Sequence, residues 1–80
     1  MYTIHYTSDV VRGSYNLGES GSFENLSKNE VKNKIINLSY KLGNPSSITK
    51  RYIMWLDGSD SYCFFIYKNN KPVSNIKSFI

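Results

Sequence analysis

Only one segment of this 80-residue chain has the pattern of a helix, and this limits the folds that the rest can adopt. Ser27 and Glu30 have the spacing of a capping box, in which each side chain accepts a hydrogen bond from the other residue's backbone N–H. Gly43 suits the left-handed position that follows a helix, and Pro45 cannot continue one. We therefore predict one amphipathic helix over about 28–42. Its apolar stripe consists of Val31, Ile35, Leu38 and Leu42.

Segments rich in β-formers lie on both sides of the predicted helix. Alternation of large apolar and polar residues over 2–7 predicts a strand with one buried face. Residues 51–56 and 61–67 are separated by a four-residue turn that contains Asp-Gly, which predicts an antiparallel hairpin. The Asn-Asn pair at 69–70 tolerates positive φ and predicts a second turn, after which 73–80 is expected to return as a third strand.

The segment between the first strand and the helix has no regular period. Glycines and polar residues interrupt Ser8 to Asn25, so we predict a long loop there, with Val10, Val11 and Tyr15 as candidates for a short hairpin. The whole chain, 1–80, is expected to form one domain. The predicted fold is α+β, a small antiparallel sheet made of the N-terminal strand and a C-terminal three-stranded meander, with one helix packed on one face.

Neither face of the predicted hairpin is polar. Successive strand residues point to opposite faces, and both sets are apolar or aromatic in 52–56 and 62–67. One helix can cover only one face of the sheet. We expect the other face either to be covered by the Ser8–Asn25 segment or to bind a partner, which includes a second copy in a homodimer. The residues assigned to this binding surface are Ile53, Trp55, Phe65 and Tyr67.

Positive charge is concentrated after the start of the helix. Residues 1–30 hold two basic and four acidic residues, whereas 31–80 hold eight basic and two acidic ones. This imbalance favours an acidic partner, either a protein surface or nucleic acid. The basic residues expected to border the aromatic surface are Lys50, Arg51, Lys68 and Lys71.

No residue pattern indicates catalysis or a cofactor. His5 and Cys63 are the only histidine and cysteine, and Cys63 lies in an aromatic strand where a cysteine is usually a small buried hydrophobe. The spacing of residues 13–20 matches a phosphate-binding loop, but Glu19 occupies the place of the essential lysine. We therefore expect no metal, no cofactor and no enzymatic activity. The first residues lack the features of an export signal, so we expect a cytoplasmic protein.

In size and composition the chain resembles the small Asn-, Lys- and Tyr-rich inhibitors that phages of AT-rich bacteria encode against host defences, anti-CRISPR proteins among them. This resemblance implies a steric mechanism, in which the protein occupies a nucleic-acid-binding or assembly surface of a host complex such as CRISPR-Cas. A protein partner is the first expectation. The alternative is direct nucleic-acid binding, because residues 62–68 resemble the aromatic strand of RNA-recognition motifs, whose rings stack on bases.

Overall fold

The computed structural model describes all 80 residues. Its main feature is an antiparallel sheet with one helix on one face, as predicted. In chain order the elements are β1 (Tyr2–Asp9), β2 (Val11–Arg12), β3 (Tyr15–Asn16), β4 (Glu19–Leu26), α1 (Lys28–Leu42), β5 (Ser47–Ile48), β6 (Ile53–Asp57), β7 (Asp60–Lys68), β8 (Lys71–Pro72) and a 3₁₀ helix (Ile76–Phe79). The strand order in the sheet is β4-β1-β7-β6-β5, and β8 pairs with the end of β7 beyond the end of β6. A separate two-stranded ribbon, β2–β3, lies between β1 and β4 in sequence.

Helix α1 begins and ends where its capping residues predict. The Ser27 hydroxyl accepts a hydrogen bond from the Glu30 N–H at 3.2 Å, and the Glu30 carboxylate accepts one from the Ser27 N–H at 3.1 Å. Gly43 follows the helix with φ at 87°, a conformation that side chains disfavour. Two residues of the predicted stripe, Val31 and Ile35, are buried against the sheet.

The predicted long loop, Ser8 to Asn25, is wrong for most of its length. Its second half forms the eight-residue edge strand β4, which pairs with β1 from Tyr2 opposite Leu26 to Ser8 opposite Glu19. Most β4 side chains are exposed, so the apolar alternation that identifies a half-buried strand is missing from the sequence. The short hairpin is confirmed as β2–β3.

The predicted third strand of the meander is also wrong. Only Lys71 and Pro72 pair with β7, after a turn in which Asn69 and Asn70 have φ values of 51° and 64°. The chain then forms the 3₁₀ helix, and Ile76 and Phe79 enter the core. Residues three apart lie on one side of a 3₁₀ helix, which explains why this spacing buries both.

The core lies between the sheet and α1. Ile53 pairs with Phe64 and Trp55 pairs with Tyr62, which places these four residues on the helix side of the sheet. Ile53 and Trp55 both have 0% exposure, so their assignment to a partner-binding surface is wrong. The Trp55 indole N–H donates a hydrogen bond to the Ser39 hydroxyl of α1 at 3.3 Å.

Candidate functional site

The sheet face opposite α1, called here the open face, carries an aromatic group that no other element covers. Phe65 and Tyr67 have the opposite parity to the buried Phe64 and Ile66, and both remain half-buried. The His5 ring meets the Tyr67 ring edge to face, with centroids 4.8 Å apart. The Tyr52 ring lies 6.0 Å from that of Phe65. Phe65 and Tyr67 therefore stay partly accessible on the face opposite α1.

A cleft of about 230 Å³ opens beside these two rings. Arg51, from the loop before β6, lines this cleft together with Phe65, Tyr67 and Pro72. A second cleft, of about 340 Å³, shares Arg51 and Pro72 with the first and adds Lys50. The two clefts therefore adjoin at Arg51 and Pro72, beside β8.

A third cleft extends the same groove to the helix side of the sheet. Its volume is about 350 Å³, and it shares Pro72, Val73 and Ser74 with the second. The cleft also contains Lys68 and Lys71, and it ends at Tyr2 and Phe79. We call the three clefts together the basic path. Its cations are Lys50, Arg51, Lys68 and Lys71.

Local hydrogen bonds hold Lys50 and Arg51 in place. The Thr49 hydroxyl accepts the backbone N–H of Arg51 and that of Tyr52, both at 3.1 Å. The Lys50 carbonyl accepts the Ile76 N–H at 3.1 Å, which connects this loop to the 3₁₀ helix. The backbone that carries the two cations is thus anchored on both sides, while their side chains are exposed.

Lys68 and Lys71 are positioned by the turn between β7 and β8. The positive φ angles of Asn69 and Asn70 reverse the chain tightly, so that Lys68 pairs with Lys71 and Tyr67 with Pro72. Pro72 lacks an N–H but lies in a two-residue strand at the sheet margin, where a missing donor is tolerated. The Lys68 ammonium lies 5.5 Å from the centre of the Tyr2 ring, within the range of a cation–π contact.

The basic path has no acidic residue in its lining. Four of the six carboxylates lie at the opposite end of the sheet, as the pairing of Tyr2 with Lys68 at one end and of Asp9 with Ser61 at the other shows. The four are Asp9, Glu19, Asp57 and Asp60.

Six of the eight predicted binding residues line the basic path, and Ile53 and Trp55 do not. Lys68 and Lys71 lie on the helix side of the sheet, whereas Phe65 and Tyr67 lie on the open face, and the groove around β8 joins the two groups. Sequence reasoning missed Tyr2, Pro72 and Ser74. A proline shortly after the Asn-Asn turn was the one sequence feature that could have indicated a strand at the margin of the sheet.

The single cysteine and the single histidine lie on different strands, Cys63 on β7 and His5 on β1. Partial burial raises the pKa of the Cys63 thiol, which favours the protonated and less nucleophilic form. His5 makes no hydrogen bond to Cys63 and packs on Tyr67 instead. No three histidine, cysteine, aspartate or glutamate side chains lie close enough together to hold a metal ion.

The largest cleft of the molecule lies elsewhere, between α1 and the C-terminal residues. Its volume is about 520 Å³, and it is lined by Ile36, Tyr40 and Ile80, all exposed, together with Phe79 and the cation Lys32. Its wall is mainly apolar, and nothing in the structure indicates what would cover it. Tyr40, with 87% exposure, serves below as a control outside the basic path.

Comparison of the chain with protein-family models, with curated proteins and with solved structures gave no match. No helix combines the length and the apolar character needed to cross a membrane.

Proposed function

We propose that this chain is a non-enzymatic binding module that engages a negatively charged macromolecule through the open face and the basic path. The observation that carries this proposal is the set of adjoining clefts around β8, which places four cations beside two half-buried aromatic rings and is lined by no aspartate or glutamate. Aromatic and arginine side chains provide most of the energy of many interfaces, and matching charge speeds the encounter.

The biological role in this proposal is steric inhibition in the cytoplasm. The chain occupies the nucleic-acid-binding or assembly surface of a host complex, such as a CRISPR-Cas complex, and no chemical step is required. The resemblance in size and composition to phage-encoded inhibitors supports this role. A complex that handles nucleic acid also suits a positively charged groove, because such complexes expose phosphates and the acidic residues that coordinate metal ions.

The test compares two ring deletions of similar size at different places. Phe65→Ala removes a ring from the basic path, and Tyr40→Ala removes an exposed ring from α1. A tagged copy of the chain is used to isolate the host complex. Calorimetry then measures how tightly each variant binds the purified complex, and an assay of the complex measures how strongly each variant inhibits it.

Phe65→Ala is expected to weaken binding by more than about 1 kcal/mol and to relieve inhibition, while Tyr40→Ala leaves both unchanged. Circular dichroism on both variants checks that the fold is intact. Equal behaviour of the two variants, or loss of binding with Tyr40→Ala alone, would contradict the proposal.

A further inference from the structure

We infer that the ligand of the basic path is single-stranded nucleic acid, with unpaired bases against Phe65 and Tyr67 and phosphates along the four cations. This inference rests on the proposed function, since it names what the binding surface contacts: the exposed strand of a nucleic-acid complex rather than its protein. The arrangement of rings, the number and type of cations, and the lack of a deep apolar anchor support it in turn.

The rings are placed where unpaired bases could stack. Phe65 and Tyr67 are two residues apart on β7, an interior strand, so their Cα atoms are about 6.8 Å apart and their side chains lie on the same face. His5 on the neighbouring strand β1 pairs with Phe65 and contacts Tyr67. Sheet surfaces of this kind bind bases that are splayed out of a single strand, whereas the bases of a duplex are stacked inside it.

The cations lie in three adjoining clefts, the first of which also contains the two rings. Arg51 shares the first cleft with Phe65 and Tyr67, Lys50 follows in the second, and Lys68 and Lys71 lie in the third. A strand whose bases contact the rings can therefore pass its backbone around Pro72 and meet a positive charge in every cleft. An electropositive groove that tracks the backbone beside stacking rings is typical of single-strand binding.

The same features fit a protein partner less well. Lysine is depleted in protein–protein interfaces, yet three of the four cations here are lysines. The side chains that would anchor a protein interface most strongly, Trp55 and Ile53, are sealed in the core. The exposed surface that remains has shallow clefts, two half-buried rings and positive charge.

The inference is tested with oligothymidylate and oligouridylate of about twelve nucleotides, long enough for a single-strand site. Binding of the labelled oligonucleotides is followed by fluorescence anisotropy between about 50 and about 200 mM salt. Each phosphate contact contributes about −0.7 to the slope of log affinity against log salt. Four contacts predict a slope near −2.8, which is a loss of about 50-fold over this range.

Matched variants separate stacking from charge. Phe65→Ala is expected to lower the affinity for the oligonucleotides about fivefold or more without changing the slope of log affinity against log salt. If this variant fails to fold, Tyr67→Ala takes its place. Arg51→Ala should make the slope shallower by about 0.7. Tyr40→Ala and Lys41→Ala, which lie on α1 outside the path, should change neither quantity. The same thymidylate strand annealed to its complement should bind at least about fivefold more weakly.

Equal affinity for the duplex, or ring variants that bind like the wild type, would overturn the inference. If the oligonucleotides do not bind but the purified host complex still requires Phe65, this inference fails and the proposed function stands. If Phe65→Ala changes the affinity for neither the oligonucleotides nor the host complex, both the inference and the proposed function fail.

Discussion

Asp60 is the residue that attaches the β2–β3 ribbon to the sheet. It is only 8% exposed, and its carboxylate accepts the Val11 N–H at 3.0 Å and the Arg12 guanidinium at 3.0 and 3.1 Å. The hydrogen bond from Arg12, and then the one from Val11, lowers the pKa of Asp60. One charged side chain thus connects residues that are 48 and 49 positions away in the sequence.

This contact predicts a dependence of stability on pH. Because the pKa of Asp60 is lower in the folded chain than in the unfolded one, its carboxylate stabilises the fold above the unfolded pKa of about 3.9. This stabilisation is lost as the pH falls through the folded pKa. Asp60→Asn should therefore lower Tm at neutral pH, and the gap between the two proteins should narrow in acid. Thermal unfolding followed by circular dichroism from about pH 7 to about pH 2 measures this.

Glu30 also has a lowered pKa, through its bonds with Ser27, but it is present in both proteins and cancels in the comparison. A Tm gap that stays constant across this pH range would show that Asp60 acts through its shape and not through its charge.

At the scale of elements, local signals and tertiary contacts determined different parts of the fold. The signals that define helix α1, namely its two caps and its apolar stripe, all lie within or directly beside the helix. The β6–β7 hairpin likewise has two β-rich runs around an Asp-Gly turn. β4 has no such signal. It is a strand because β1 offers its free edge and because the Phe23 ring stacks on Tyr6 at 5.1 Å, with the Lys34 ammonium 4.0 Å from its centre.

The C-terminal segment is expected to behave as part of the core. Ile76→Ala should lower the free energy of unfolding by about 2–5 kcal/mol, since Ile76 is fully buried and the cavity left behind would not be filled. Urea denaturation measures the change, and Lys77→Ala, at an exposed neighbouring position, is the matched control and should change it by less than about 0.5 kcal/mol. Similar small effects of both variants would mean that the 3₁₀ helix is not packed as described.

At the scale of the whole molecule, the distribution of charge matters more than its total. The net charge is +4, but the basic path lies around one end of the sheet while Asp9, Glu19, Asp57 and Asp60 lie at the other. An approaching polyanion would therefore be oriented as well as attracted.

Two charge reversals test the importance of this placement. Arg51→Glu and Lys41→Glu lower the net charge equally, but only the first lies in the basic path. Arg51→Glu should weaken binding to the isolated host complex by about tenfold or more, whereas Lys41→Glu should have an effect within about threefold. Surface plasmon resonance at two salt concentrations measures the affinity of both variants. Equal losses of affinity would indicate that binding depends on the net charge and not on the position of the charge.

The candidate site could be predicted in its residue types but not in its geometry. The sequence identified Lys50, Arg51, Lys68 and Lys71 as basic residues near strand ends, and the structure places them in two adjoining clefts. The alternation along β6 also showed that Trp55 lies on the opposite face of the strand from Met54 and Leu56. It could not say which parity would face α1, because both faces of the hairpin are apolar.

By itself, then, the sequence determined the elements whose hydrogen bonds and apolar periods are local, namely α1, the central hairpin and the Asn-Asn turn. The tertiary structure alone decided that Trp55 and Ile53 are sealed while Phe65 and Tyr67 are open, that β4 is a strand, and that the C-terminal residues enter the core. These outcomes depend on which surface α1 covers and which strand edge is free. Such contacts join residues far apart in the chain, so their energies are not encoded in any short run of sequence.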